Sequence, residues 1–289
     1  MKNPWYKRKA SLLLLMFTVT AIAFIIGGMI CNKDLRLSKY TVTSQDLPHS
    51  FQGFRIAQVS DLHNRTLGKD NKKLLSMLRE CKPDIIVMTG DIIDSRTPKV
   101  SIATDFAQEA AKIAPCYYVP GNHEARVPED FEALLAGLGS AGIKVLRNES
   151  TKLEKDGEYI TLLGADDPWF ANGNTSRYDT QYMRDTLDSI ALGNEDEFTL
   201  LLSHRPELFE AYAQHHIDLT LSGHVHGGQI RLPFVGGLYG PNQGLLPTYD
   251  KGLYTKDNSN MIVSSGVGNS LFPLRIFNPP EVVLVELQK

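Results

Sequence analysis

Cysteine is scarce in this chain: Cys31, Cys81 and Cys116 are its only three, far apart and without a C-x-x-C pair. Neither a zinc ribbon nor a disulfide framework fits that spacing, and Cys81 and Cys116 read as small buried hydrophobes. Charge of one sign is also lacking, since 30 basic against 33 acidic residues leave a net charge of -3. With no basic stripe to neutralise a phosphate backbone, there is no dedicated nucleic-acid-binding module to expect. Internal repeats and low-complexity segments are absent. No twin arginine precedes the apolar N-terminal run, and Gly28-Met29-Ile30 lacks the small-residue pattern that marks a lipid-attachment cysteine at Cys31. What remains is an ordinary globular balance, 42% apolar and 22% charged, in 289 residues, enough for one large domain or two small ones.

One long hydrophobic run is present. Ser11 to Ile30 is uncharged for twenty residues, and at ~1.5 Å per residue a helix of that length spans ~30 Å, the hydrocarbon thickness of a bilayer. A cleaved signal peptide is the competing reading, with Lys2, Lys7, Arg8 and Lys9 as a basic leader and Ala21-Ile22-Ala23 as the cleavage site. The run continues through Phe24 to Ile30 beyond that site, which favours an uncleaved anchor. Four basic residues precede the span and three, Lys33, Arg36 and Lys39, follow it, so the bias places the N-terminus inside by one residue. The expected organisation is a cytoplasmic segment (1–10), a single transmembrane anchor (11–30), a tether or first edge strand (31–50) and an extracytoplasmic domain (51–289).

From Phe51 onward, short β-branched and aromatic runs have the length of strands: Phe54 to Val59, Ile85 to Met88, Cys116 to Val119, Phe198 to Leu202 and Ile217 to Leu221. Between the early ones, Leu67, Leu74, Leu75 and Leu78 recur at helical spacing, as do Ile102, Phe106 and Ile113, and Phe131, Leu134, Leu135 and Leu138. Strand alternating with helix predicts a layered α/β fold. Gln229 to Leu232, Met261 to Ser265 and Glu281 to Leu287 read as strands without intervening helices, completing a second sheet with antiparallel strands. Asp166 to Glu197 is polar and irregular, a stretch of the kind that forms a lid or merely a surface insertion.

Five strand-like runs end alike, with a small or turn-forming residue and then a metal-competent side chain. The endings are Val59-Ser60-Asp61, Met88-Thr89-Gly90-Asp91, Val119-Pro120-Gly121-Asn122, Leu202-Ser203-His204 and Leu221-Ser222-Gly223-His224. Ligands of α/β sheets bind outside the carboxyl ends of strands, so these side chains are expected to meet at one sheet edge. Two endings continue as Asp61-Leu62-His63 and His224-Val225-His226; in extended backbone residues i and i+2 share a side, and each pair would grip one ion. Four imidazoles, two carboxylates and one amide suit borderline divalent ions such as Mn, Fe, Zn or Co. Seven groups exceed the needs of one ion, and Asp91, after a glycine, is the natural carboxylate to bridge two. His123 then stands beside the scissile bond, to protonate the leaving oxygen or to stabilise developing negative charge, with Glu124 placed to orient its ring.

These residues resemble the calcineurin-like metallophosphoesterases, whose blocks D-x-H, G-D, G-N-H-[DE], a lone His and G-H-x-H stand here as Asp61-Leu62-His63, Gly90-Asp91, Gly121-Asn122-His123-Glu124, His204 and Gly223-His224-Val225-His226. The resemblance covers roughly Phe51 to Lys289 and implies a four-layer α/β/β/α sandwich. It further implies one divalent ion on Asp61, His63, Asp91 and His226, a second on Asp91, Asn122, His204 and His224, and the leaving-group role for His123. Gly227-Gly228-Gln229, Ser265-Gly266-Val267-Gly268 and Pro279-Pro280-Glu281 look like the membrane-anchored bacterial branch, some of whose members hydrolyse the UDP-diacylglucosamine precursor of lipid A.

The expected activity is hydrolysis of a phosphodiester, pyrophosphate or phosphomonoester, on a lipid- or envelope-linked substrate because the anchor holds the site near the bilayer. The alternatives are a metal-bound scaffold without catalysis, and a nuclease or phosphoprotein phosphatase using the same groups. Outside the blocks, His49, His215 and His216 read as surface residues. Arg65, Arg126 and Arg275 are available to a substrate phosphate, although a paired arginine is the plainer fate of each.

Overall fold

The computed structural model describes residues 4–173, 179–191, 197–269 and 275–289. The chain opens with helix α1 (Pro4–Lys33), then β1 (Arg36–Thr43), β2 (Arg55–Val59), α2 (Lys72–Cys81), β3 (Ile85–Thr89), α3 (Val100–Ala111), β4 (Cys116–Val119), the short α4 (Asn122–Ala125), α5 (Pro128–Ser140) and β5 (Lys144–Val145). The second half runs β6 (Glu149–Lys155), β7 (Glu158–Gly164), α6 (Trp169–Asn172), α7 (Asp179–Ile190), β8 (Thr199–Leu202), α8 (Phe209–Gln214) and β9 (Leu219–Ser222). Two small hairpins follow, β10 (Arg231–Leu232) with β11 (Gly236–Gly237) and β12 (Tyr239–Gly240) with β13 (Gly244–Leu245), and then β14 (Gly252–Lys256), β15 (Ser259–Val263) and β16 (Glu281–Gln288).

Two six-stranded sheets result, ordered β1-β16-β2-β3-β4-β5 and β14-β15-β9-β8-β7-β6. The alternation of strand side chains decides how they stack. On β3, Ile85 and Val87 enter a core shared with Leu200 and Leu202 of β8 and Leu219 and Leu221 of β9, whereas Ile86 and Met88 pack under the helices. Strands covered on both faces read as nearly continuous apolar runs, as β3 and β8 do apart from one terminal threonine each. The outer face of the first sheet is closed by Leu74, Leu75 and Leu78 of α2, Phe106 of α3 and Phe131, Leu134 and Leu138 of α5. Helix α5 begins on Pro128 with Glu129 and Asp130 in its first turn, a favoured start beside the positive end of the helix dipole. Met183, Leu187 and Ile190 of α7 and Phe209 and Tyr212 of α8 close the second sheet. The layers are therefore α/β/β/α, the architecture the sequence blocks implied.

Two expectations change. Of the three strands expected to complete the second sheet only Met261 to Ser265 does, through β15; Gln229 to Leu232 forms a separate hairpin as β10 with β11, and Glu281 to Leu287 lies, as β16, in the first sheet, antiparallel to β2 and parallel to β1. The stretch 166–197, read as irregular, contains α7, whose buried Met183, Leu187 and Ile190 contribute to the fourth layer. Met183, Leu187 and Ile190 do stand at helical spacing, i, i+4 and i+7, but the polar residues on either side give the stretch as a whole the look of a loop. The start of the stretch is tied down: Asp166 takes the Arg147 guanidinium at 2.6 Å, and Asp167 takes Arg205 at 2.7 and 2.8 Å, while Arg205 also reaches Asp179 at 2.8 Å. Residues 174–178 and 192–196 of the lid reading lie outside the described residues.

Among the described residues, α1 from Lys7 to Lys33 is the one helix long and apolar enough to cross a membrane, and its apolar side chains are almost all exposed. Only two residues separate it from β1, which pairs with β16 from Arg36 opposite Glu281 to Thr43 opposite Gln288. The last carbonyls of α1 are capped from the body: Arg65 donates to Asn32 O, and Lys73 Nζ donates to Lys33 O at 2.7 Å.

Candidate metal centre

β2, β3 and β4 of the first sheet end at Val59, Thr89 and Val119, and β8 and β9 of the second end at Leu202 and Ser222. The residues that follow include Asp61, Asp91, Asn122, His204 and His224, so the site straddles two sheets rather than lying on the edge of one. Gln58 ties the two together directly behind it. Its buried amide donates to Thr89 Oγ1 and to Ser222 O, both at 2.9 Å.

The backbone at the D-x-H and H-x-H motifs is not extended, contrary to the expectation from their spacing. Asp61 (φ 53), His63 (φ 45), Asp91 (φ 53), His224 (φ 70) and His226 (φ 50) all adopt left-handed backbone. Such residues cost of order 1–3 kcal/mol each when bulky, and they gather at functional sites where surrounding structure enforces them. Left-handed turns at both motifs also divide the second pair. Asp61, His63 and His226 bring ligand atoms within 4.8 Å of one another, and Asp91, His204 and His224 form a separate group of the same kind. His63, Asp91 and His123 form a third, overlapping both.

Within these groups His226 Nε2 lies 3.4 Å from Asp61 Oδ1 and 3.1 Å from His63 Nε2. His204 Nε2 lies 3.1 Å from Asp91 Oδ2 and 3.2 Å from His224 Nδ1. His63 Nε2 stands 3.7 Å from Asp91 Oδ2, so the Asp91 carboxylate is common to both sides. Asn122 is buried, and its Oδ1 has no hydrogen-bond partner. An orphaned amide oxygen, two buried carboxylates and facing imidazole nitrogens are a donor set with too few protons to satisfy itself. It fits divalent cations held by nitrogen and oxygen. His204 Nδ1 faces Thr89 O at 2.7 Å; a carbonyl only accepts, so Nδ1 carries a proton and Nε2 is the nitrogen turned into the site.

The charges are strongly interdependent. Burial alone would raise the Asp91 carboxyl, but His204 and His123 beside it hold it well below the usual carboxylate range. Asp61 is likewise held low, against burial, by His226 and a hydrogen bond with His63. Against its own burial, His204 is pushed up to about 10 by Asp91. Burial, with His63 beside it, takes His226 down to about 3 despite the opposing charge of Asp61. Burial, then His204, hold His224 low.

Glycine is required where the motifs have it. A β-carbon on Gly223 would fall 1.9 Å from Ser60 Oγ and 2.4 Å from Asp61 Oδ2, and one on Gly121 would fall 2.3 Å from Asp91 Oδ1. The backbone thus approaches each carboxylate closely enough to donate to it: His224 N–H reaches both Asp61 oxygens at 3.1 Å, and His123 N–H reaches Asp91 Oδ1 at 2.8 Å.

Glu124 does not orient His123. Its buried carboxylate accepts N–H groups of Asp91 (2.8 Å), Ile93 (3.0 Å) and Gly121 (2.8 Å), which fixes the two ligand loops to each other. Burial and then Asp91 raise it to about 7, while the N–H groups of Ile93 and Gly121 act in the opposite direction. Ser95 orients the ring instead. Ser95 N–H donates to His123 Nδ1 at 3.0 Å, Ser95 Oγ lies 3.1 Å from the same nitrogen and Asp94 Oδ1 at 3.8 Å. The neutral ring then carries its proton on Nε2, 4.0 Å from Asp91 Oδ2. Burial lowers the basicity of His123, so the neutral form is favoured.

Sequence pattern does not single out Gln58, Ser60, Asp94 or Ser95. Ser60 donates to Asp61 Oδ2 at 2.6 Å. Asp94 and Ser95 follow Asp91 by three and four residues, a local signal visible only once the loop is known to curl back on His123.

The three arginines are all engaged. Arg275 is fully buried and donates to Ser265 O at 2.7 Å and to Gly268 O, with Nη2 3.4 Å from His226 Nδ1. Arg65 caps α1, and Arg126 lies over the Trp169 ring at 4.1 Å. His49 and His216 are exposed, and half-buried His215 contacts Asp188 at 3.0 Å.

Asp94 offers a pH test. Burial acts to raise its carboxyl, yet its hydrogen bonds with Arg96 hold it at about 2, below the ordinary 3.8. A depressed carboxylate stabilises the fold fully above the ordinary value and loses that contribution as pH falls through the lowered one. Denaturant unfolding should therefore show Asp94→Asn less stable than the parent near neutrality, with the gap closing as pH is taken from about 5 towards 2. A gap that widened on acidification would contradict this.

The family model described as calcineurin-like phosphoesterase matches residues 54–228. The metallophosphoesterase YkuE of Bacillus subtilis (strain 168) is 31% identical over 268 residues, covering 88% of this chain and 86% of that protein. The phosphodiesterase YaeI of Escherichia coli (strain K12) is 31% identical over 210 residues, 72% of each chain. A Danio rerio transmembrane protein with metallophosphoesterase domain is 27% identical over 284 residues, covering 95% of this chain and 62% of that protein. Among solved structures, TT1561 of Thermus thermophilus superposes with a TM-score of 0.51 at 12% identity, over 75% of this chain and 91% of that one, a likeness of fold.

Proposed function

We propose that this chain, which belongs to the calcineurin-like phosphoesterase family, is a hydrolase of phosphate esters. The supporting observation is the buried pair of ligand groups sharing Asp91. Asp61, His63, Asp91 and His226 would hold one divalent ion, and Asp91, Asn122, His204 and His224 the other. Two such ions supply Lewis-acid polarisation of the phosphoryl group and a water of lowered pKa.

The chain's own residues do the rest. Gly121 and Gly223 let backbone N–H groups hold the carboxylates still, Gly90 lets its turn pass against the His204 ring, and Glu124 locks the Asp91 and Asn122 loops together. Ser95 fixes the His123 ring so that its Nε2 N–H faces the site and can hydrogen-bond the departing oxygen as negative charge builds on it.

The substrate is a phosphodiester, pyrophosphate or phosphomonoester, and the exposed apolar helix α1 supports one that is lipid- or envelope-linked, with residues 1–10 cytoplasmic and the domain outside. Borderline ions such as Mn, Fe, Zn or Co suit the donors. Purified full-length chain with Mn should hydrolyse a bis-nitrophenyl phosphodiester, lose that activity on chelation and regain it on metal addition. A preparation that retains two equivalents of divalent metal but turns over neither mono- nor diester retires the hydrolase in favour of a metal-bound scaffold. Detergent-solubilised lipid phosphoesters cleaved no better than soluble nucleotides would remove the lipid link.

A further inference from the structure

Large apolar side chains are exposed in one region of the domain that follows α1. Leu232, Phe234, Val235, Leu245, Leu246 and Phe277 are all open to solvent, with Phe234 fully exposed, Leu245 at 74% and Phe277 at 64%. Apart from neighbouring Tyr239, only Tyr159 and Leu253 join them outside α1 among the described residues. Phe234 and Leu246 also sit at left-handed backbone positions (φ 67 and 55) in the turns around the hairpins, where polar residues or glycine are the rule. A cluster of apolar side chains on turns, where solubility would favour the opposite, marks a surface that is covered in use.

Phe277 connects this patch to α1. It lines a hollow of about 600 Å³ with Phe234 and Val235, and also a second of about 670 Å³ whose opposite wall is Val19, Phe24, Gly27 and Ile30 of α1. Whatever medium surrounds the apolar run of α1 therefore reaches Phe277 and is continuous with the hairpins. The patch also adjoins the site. Asn278 donates to His226 O at 2.6 Å, Arg231 N–H donates to Ile276 O at 2.9 Å, and a β-carbon on Gly228 would fall 2.3 Å from Gly237 Cα. The His226 turn is thus sandwiched between the 276–278 segment and β11.

We propose that the tip of the first hairpin, Phe234 and Val235, the outgoing end of the second, Leu245 and Leu246, and Phe277 form a membrane-docking rim that inserts into the face of the bilayer crossed by α1, turning the His226 side of the metal centre towards lipid headgroups. The occupant is lipid because one wall of the connecting hollow is the apolar helix itself. Amphipathic surfaces of this kind bind in the interface plane through buried apolar area. The rim fixes the orientation of the domain, which a single helix leaves free to swivel. It does not depend on hydrolysis, so it can fail while the hydrolase reading stands, and the reverse.

The test uses the full-length chain in phosphatidylethanolamine/phosphatidylglycerol vesicles containing a phospholipid with a photoactivatable diazirine in its acyl chain. On irradiation the unmodified protein should carry lipid adducts on peptides covering 232–246 and Phe277 as well as on α1; adducts confined to α1 overturn the proposal. As a second reading, environment-sensitive labels at Phe234→Cys and Leu245→Cys in a Cys31→Ser background should be quenched strongly by acyl-chain nitroxides and severalfold less by aqueous iodide than a label at Tyr159→Cys. Labels at 234 and 245 that behave like the one at 159 would equally overturn it.

Discussion

Asp91→Asn should abolish turnover, by at least about 10³-fold, since even changes to groups behind metal ligands cost 10–100-fold. The reason is that one carboxylate serves both ligand groups: its Oδ2 stands 3.1 Å from His204 Nε2 and 3.7 Å from His63 Nε2, while Oδ1 is held by the His123 N–H. An amide at this position keeps the shape but brings one neutral oxygen where an anion stood, so neither group retains its charge balance. Divalent metal per chain should fall together with activity, read by elemental analysis of the same sample. The folded structure should survive, because Asn can still accept the His123 N–H. Turnover and metal content both equal to those of the parent would remove Asp91 from the centre and the two-ion proposal with it.

His123→Ala should lower kcat by about 10²–10³-fold, the usual worth of a hydrogen-bond donor aimed at developing charge, with metal content unchanged. The distinction rests on geometry: His123 Nδ1 is occupied by the Ser95 N–H, leaving Nε2 as the donor facing the site. The deficit should depend on the leaving group. Nitrophenolate departs without a proton and should suffer least, whereas an alkoxide or sugar hydroxyl should suffer most. An equal loss on all esters, or a parallel loss of metal, would assign His123 to ligation, a role its position beside His63 and Asp91 also permits geometrically. Ser95→Ala should give a weaker version of the same leaving-group dependence, because the Ser95 backbone N–H remains.

Much of this centre is legible in the sequence. Five apolar runs followed by small residues and then Asp, Asn or His are a pattern of strand, tight turn and ligand, and strands do end at Val59, Thr89, Val119, Leu202 and Ser222. The helices α2, α3 and α5 announce themselves because their buried residues recur every three or four positions. Helix α7 carries the same period in Met183, Leu187 and Ile190, but it lies inside a long stretch of mostly polar residues that reads as a loop. The D-x-H and H-x-H motifs are legible as metal-competent side chains but not as shapes. A spacing of two suggests extended chain, and nothing in the letters says that Asp61, His63, His224 and His226 turn left-handed.

The amino-acid order by itself determined the layer type, the apolar N-terminal span and the identity of the metal-competent side chains, because hydrophobic period and turn chemistry are local properties carried by neighbouring residues. Tertiary structure alone decided which ligands face each other across two sheets, that His224 and His226 part company, that Glu124 binds loops while Ser95 holds His123, and that β16 returns to the first sheet. Those outcomes depend on contacts between residues far apart along the chain, where packing of the shared core between the sheets, and not any local preference, sets the geometry.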